Sequence, residues 1–90
     1  AKHRNELSRR TKPIRKKINV LEKEIETKEL RIGEIEEEMA KPDFYEDAEN
    51  VKKFSLEYDQ LKADLTDRYS KWEEYQNRIE VIEQEMAVNN

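Results

Sequence analysis

Apolar side chains recur through the first half of the chain at Leu7, Ile14, Ile18, Leu21, Ile25, Ile32, Ile35 and Met39. Thr11 and Lys28 fill the two remaining steps of an unbroken four-three alternation. That spacing is a heptad seam, with a at 11, 18, 25, 32 and 39 and d at 7, 14, 21, 28 and 35. The second half repeats it through Val51, Phe54, Tyr58, Leu61, Leu65, Arg68, Trp72, Tyr75, Ile79, Ile82 and Met86. Between the two stripes lies Lys41-Pro42-Asp43-Phe44-Tyr45-Glu46-Asp47, where proline cannot continue the first helix and Asp47 is a natural N-cap for the second. The pattern predicts an all-α fold, a two-helix antiparallel coiled-coil hairpin with helices over about 13–40 and 48–87 and a turn at 41–47. At ~1.5 Å per residue the helices would be about 42 and 60 Å long.

Antiparallel pairing sets a against d and g against g, so charges test the register. If facing core positions sum to 93, the g pairs Arg10–Glu85, Glu24–Lys71 and Arg31–Asp64 attract. Sliding by one heptad leaves Arg31–Glu57 as the only attracting pair. The first register also aligns the full length of both stripes and layers Leu21 with Trp72, Ile18 with Tyr75 and Ile32 with Leu61. Two seam positions, Lys28 and Arg68, are charged. Their aliphatic stems are expected to cover the seam while the charges reach flanking Glu or Asp. Pro13 places the first regular turn near residue 12 with Thr11 as N-cap, and residues 1–11 then read as a basic arm or linker ahead of a hairpin at 12–88.

Composition narrows what such a rod can do. Charged residues make up 44 % of the 90, the apolar set 34 %, and mean hydropathy is −1.23. There is no cysteine, so disulfides, thiolate metal sites and a cysteine nucleophile are excluded, and the single histidine, His3, has no second to share a zinc ion with. One glycine, Gly33, cannot build a phosphate-cradling loop. No apolar run approaches the ~18 residues of a membrane span. The sequence therefore predicts no catalytic residue, no metal site and no cofactor in these residues. Carboxylate runs such as Glu36-Glu37-Glu38 belong to a solvated face, lacking the pocket that would tune them for catalysis.

The net charge of −4 conceals an asymmetry. Residues 1–17 carry a net +7 and residues 18–90 a net −11, with acids densest from Glu34 to Glu49. The rod should thus have a basic base and an acidic tip. Arg9, Arg10, Lys12, Arg15, Lys16 and Lys17 are the candidate nucleic-acid-binding residues, since such a cluster is the usual footprint for phosphate backbones. No aromatic residue interleaves with them along the chain, so base stacking is not implied. The competing reading is a solvated segment partly neutralised by Glu80, Glu83 and Glu85 on the other helix. Tyr58, Trp72 and Tyr75 fall on the seam and read as packing residues, whereas Phe44 and Tyr45 are expected to fold back over Val51 and Phe54.

The tip Met39-Ala40-Lys41-Pro42-Asp43-Phe44-Tyr45-Glu46-Asp47, the following Val51 and the segment Tyr69-Ser70-Lys71-Trp72-Glu73-Glu74-Tyr75 resemble the C-terminal coiled-coil domain of ABC-F ATPases of the Uup-like group. The resemblance covers about residues 7–80; Tyr75 stands where leucine is more usual. It implies a cytoplasmic parent protein with two upstream ATP-binding cassettes, ATP being the parent's ligand rather than this segment's. It also implies contact with DNA or ribosomal RNA, with no membrane partner. A monomer is favoured, a weak dimer through Leu30, Leu56 and Tyr69 remaining open. Two other readings stay open, a purely structural or protein-docking coiled coil and an RNA-binding arm of an aminoacyl-tRNA synthetase.

Overall fold

The computed structural model describes residues 2–88, and side chains for 5–88. Helix α1 spans Lys2–Met39 and helix α2 spans Ala48–Val88, joined by a 3-10 turn at Phe44–Glu46. The two helices lie antiparallel as a rod measuring 65 × 17 × 16 Å. The seam is where apolar residues are removed from water: Ile18, Leu21, Ile25, Ile32 and Ile35 on α1 pack towards Leu65, Ile79 and Met86 on α2. Its mid-section groups Ile25, Ile32 and Leu65, with Tyr58 and Leu61 packed against them. Ile35 is the most enclosed of these, with no exposed surface.

The first helix begins earlier than the sequence suggests. It runs from Lys2 straight through Pro13, so residues 2–11 are a helical extension of the hairpin rather than a separate arm. Pro13 still removes one N–H, and the Arg9 carbonyl loses its usual partner four residues on. Leu7 and Thr11 nevertheless keep the seam in phase, and α2 is long enough to give them a surface, so packing outweighs the lost bond. Thr11 is accordingly not an N-cap. It is fully buried at a seam position, and its hydroxyl donates back to the Leu7 carbonyl at 2.9 Å.

The seam cations reach out as expected. Lys28 donates to Asp64 at 3.2 Å, and Arg68 donates to Glu24 at 2.6 Å and to Asp67. This redistributes the flanking pairs. Arg10–Glu85 forms at 3.3 Å, but with Asp64 and Glu24 engaged by the seam cations, Arg31 turns instead to Glu57, with two bonds of 2.6 and 2.9 Å. Arg31–Glu57 was the pair expected of the slipped register, yet it coexists here with Arg10–Glu85. A guanidinium can reach about one helical turn along the rod, so single ion pairs discriminate register less sharply than the apolar layers do. Across the opposite edge the Tyr69 hydroxyl donates to Glu29, and that bond raises the pKa of the phenol.

At the tip, Phe44 folds inward onto Phe54, with ring centroids 5.8 Å apart, while Tyr45 stands edge-on to Phe44 and remains 69 % exposed. The expectation that both would plug the tip holds for Phe44 alone, because the tight 3-10 turn sends adjacent side chains to different sides. Asp47 caps α2, its Oδ1 accepting from the backbone N–H groups of Glu49 and Asn50 at 3.1 and 3.3 Å. Gly33 has open space where a side chain would stand.

Candidate nucleic-acid interface

Helical phase decides where the cations point. Heptad positions f and b face away from a partner helix, and these hold Arg9, Lys16 and Lys12; g holds Arg10 and Lys17, and e holds Arg15. All six are exposed. The segment is therefore a collar covering every side of α1 except the seam. Arg9 pairs with Glu6 at 2.6 Å and Arg10 with Glu85, whereas among the described residues Lys12, Arg15, Lys16 and Lys17 form no ion pair. The f positions continue the stripe to exposed Lys23, about 21 Å from Arg9 at ~1.5 Å per residue. Lys23 was missed because it lies beyond the dense run, interspersed with Glu22, Glu24 and Glu26; only the seven-residue spacing reveals it.

Beside this collar the other helix is acidic. Glu80, Glu83 and Glu85 are exposed on α2, and Glu74 accepts from Arg78 at 3.2 Å. The base of the rod is thus split lengthwise, cationic on the outer face of α1 and anionic on α2, instead of uniformly basic. A polyanion has to approach from the α1 side.

The fold also brings an aromatic ring to the cations. Tyr75 comes across from α2, and the Lys17 ammonium lies 5.5 Å from its ring centroid, with the Arg78 guanidinium at the same distance. The interleaving that is absent along the chain is present in space. Between the helices at this level runs an open groove of about 460 Å3, lined by Lys16, Lys17 and Lys71, by Val20, Leu21 and Tyr75, and by the Arg68–Glu24 ion pair. Among the described residues no group of three or more histidines or acids is arranged to hold a metal ion. Most of the shifted ionisations flank the seam, and Lys41 at the tip is raised by its hydrogen bond to Glu38. Hydrogen bonding to Glu24 raises Arg68, and hydrogen bonding from Arg31 lowers Glu57. Both belong to ion pairs that tie one helix to the other.

Residues 9–77 match the sequence model of the ABC transporter C-terminal domain. The chain belongs to that family. The match takes in all six collar cations, the tip and Tyr75, and it begins upstream of Pro13, inside α1. Comparison with curated proteins and with solved structures returned no significant match. As an ABC transporter C-terminal domain, the hairpin is an accessory part of an ABC protein. Among its described residues no helix is long and apolar enough to cross a membrane.

Proposed function

We propose that this hairpin is a non-catalytic domain of an ABC-F type protein, Uup-like, and that it contacts nucleic acid, DNA or ribosomal RNA, through the collar on α1. ATP would be bound by the parent's cassettes in the cytoplasm, with the hairpin attached to them in cis and acting as a monomer. The observation that carries this reading is the cluster Lys12, Arg15, Lys16 and Lys17, exposed and without ion pairs in a protein whose net charge is −4. Of these four unneutralised cations Lys12 and Lys16 share the outer face of a rigid helix while Arg15 and Lys17 flank it, an arrangement that attracts phosphates and gains by releasing condensed counterions. Contacts of this kind give affinity and orientation without choosing a sequence.

Fluorescence anisotropy with labelled duplex DNA and structured RNA at two salt concentrations tests the proposal. Binding should be present at low salt and lost in the Arg15→Glu, Lys16→Glu, Lys17→Glu triple variant. These positions are exposed and off the seam, so helicity by circular dichroism should be retained. Absence of binding at low salt, or indifference to the triple change, favours the second reading, a protein-docking coiled coil. The acidic α2 face and the exposed Tyr45 are the features that support that alternative.

A further inference from the structure

The groove beside the collar differs chemically from the collar itself. Phosphate contact alone requires cations, yet this groove has an apolar floor: Val20, at position c of the heptad, is 57 % exposed there, next to Leu21 and the half-buried ring of Tyr75. Three lysines also line it, Lys16 and Lys17 from α1 and Lys71 from α2, together with one acid, Glu24. The fourth cation lining it, Arg68, is bound to Glu24, and Lys71 is shared with Asp67 at 3.4 Å, so Lys16 and Lys17 are the members without ion pairs. An apolar shelf beneath clustered ammonium groups matches a ligand that is flat and apolar on one side and anionic on the other.

We propose that this groove takes one unstacked nucleotide of a single-stranded segment, its base lying on Val20 and Tyr75 and its phosphate held by Lys16, Lys17 and Lys71. The proposal deepens the nucleic-acid reading above and rests on it. The volume falls within the ~300–1,000 Å3 of ligand sites, but the groove is open to solvent along its length and cannot enclose a free nucleotide. A nucleotide within a strand needs no enclosure, since its neighbours are held by Lys12, Lys23 and the rest of the outer stripe. Lys17 and Arg78 both lie against Tyr75; when a base arrives, the Lys17 ammonium transfers from the ring to the phosphate, exchanging a cation–π contact for a charge-assisted bond, while Arg78 stays on the ring. A paired base inside a duplex cannot reach the floor.

Anisotropy titrations of the 90-residue chain with an oligo-dT strand, an abasic strand of equal length, a duplex and free thymidine monophosphate separate the possibilities. Oligo-dT should bind about tenfold more tightly than the abasic strand, as expected for one stacked base, and the free nucleotide should not bind measurably. Val20→Glu places a carboxylate in the groove at an exposed helical site; it should remove the oligo-dT preference and leave Tm unchanged. Lys23→Glu, on the stripe but outside the groove, should weaken both strands equally. Equal affinity for oligo-dT and abasic strands, or a preference that survives Val20→Glu, overturns the groove assignment while duplex binding keeps the collar reading intact. If neither strand nor duplex binds, both readings fall together.

Discussion

The salt dependence of duplex binding can be worked out from helical phase. Only residues on the outer face of α1 can meet one phosphate surface together, and at f and b these are Arg9, Lys12, Lys16 and Lys23. Arg10 is held by Glu85, Lys17 lies over Tyr75 and Arg15 points along the opposite edge, so the count is three to four rather than six. With about 0.9 counterions released per neutralised phosphate, the slope of log K against log salt should be about −3 to −4. Raising salt from about 50 to about 200 mM should then weaken binding roughly 40- to 150-fold. Lys12→Glu or Lys16→Glu should each reduce the magnitude of the slope by about one, whereas Arg10→Gln should change it less. The assay is anisotropy of a labelled duplex across a salt series. A slope near zero would remove phosphate contact altogether. A slope steeper than about −6 would mean that all sides of the collar engage at once, refuting the phase argument.

Other consequences follow from the packing. Ile35→Ala removes the one fully enclosed isoleucine and should cost about 2–5 kcal/mol, read as a drop in the urea midpoint by circular dichroism. Pro13→Ala returns an N–H to the Arg9 carbonyl at an exposed position inside α1 and should stabilise the helix by up to about 3 kcal/mol; destabilisation would show that α1 needs its break. Acid should loosen the rod. Glu57 is held below the usual carboxylate range by its bond from Arg31, and Asp64 by bonds from Gln60 and then Lys28. Their contribution is therefore present above the ordinary carboxylate pKa and lost as pH falls through their folded values. In Glu57→Gln the acid limb of a Tm-against-pH profile should be shallower, and an unchanged limb would contradict the assignment.

The all-α hairpin was legible because a seam of period 3.5 interrupted once by Pro42 leaves little else to build, and Asp47 announces its own cap. The start of α1 at Lys2, upstream of the turn that Thr11 and Pro13 signal, has a specific physical reason. Proline and threonine carry strong local signals for a helix start, and those signals act over one turn, whereas α2 supplies burial along the whole of residues 7–18. Local propensity of a few kcal/mol loses to a continuous apolar interface. The ion pairs are similarly right in kind and partly different in partner, because Lys28 and Arg68, the more enclosed cations, claim the nearest carboxylates before Arg31 and Lys71 can compete.

The collar shows the same division. Its six cations, their exposure and the sign asymmetry of the chain are properties of one strand of sequence and its helical phase, and reading the seven-residue spacing further would have added Lys23. What a one-dimensional reading does not contain is neighbourhood across the seam. Tyr75 lies fifty-eight positions from Lys17 in the chain, yet the fold sets its ring beneath that ammonium and opens an apolar groove next to it. Periodicity determined that two helices pair. Which side chains of one meet those of the other depends on register and side-chain reach, and these are fixed only when both helices pack, because only burial distinguishes one alignment from its neighbours.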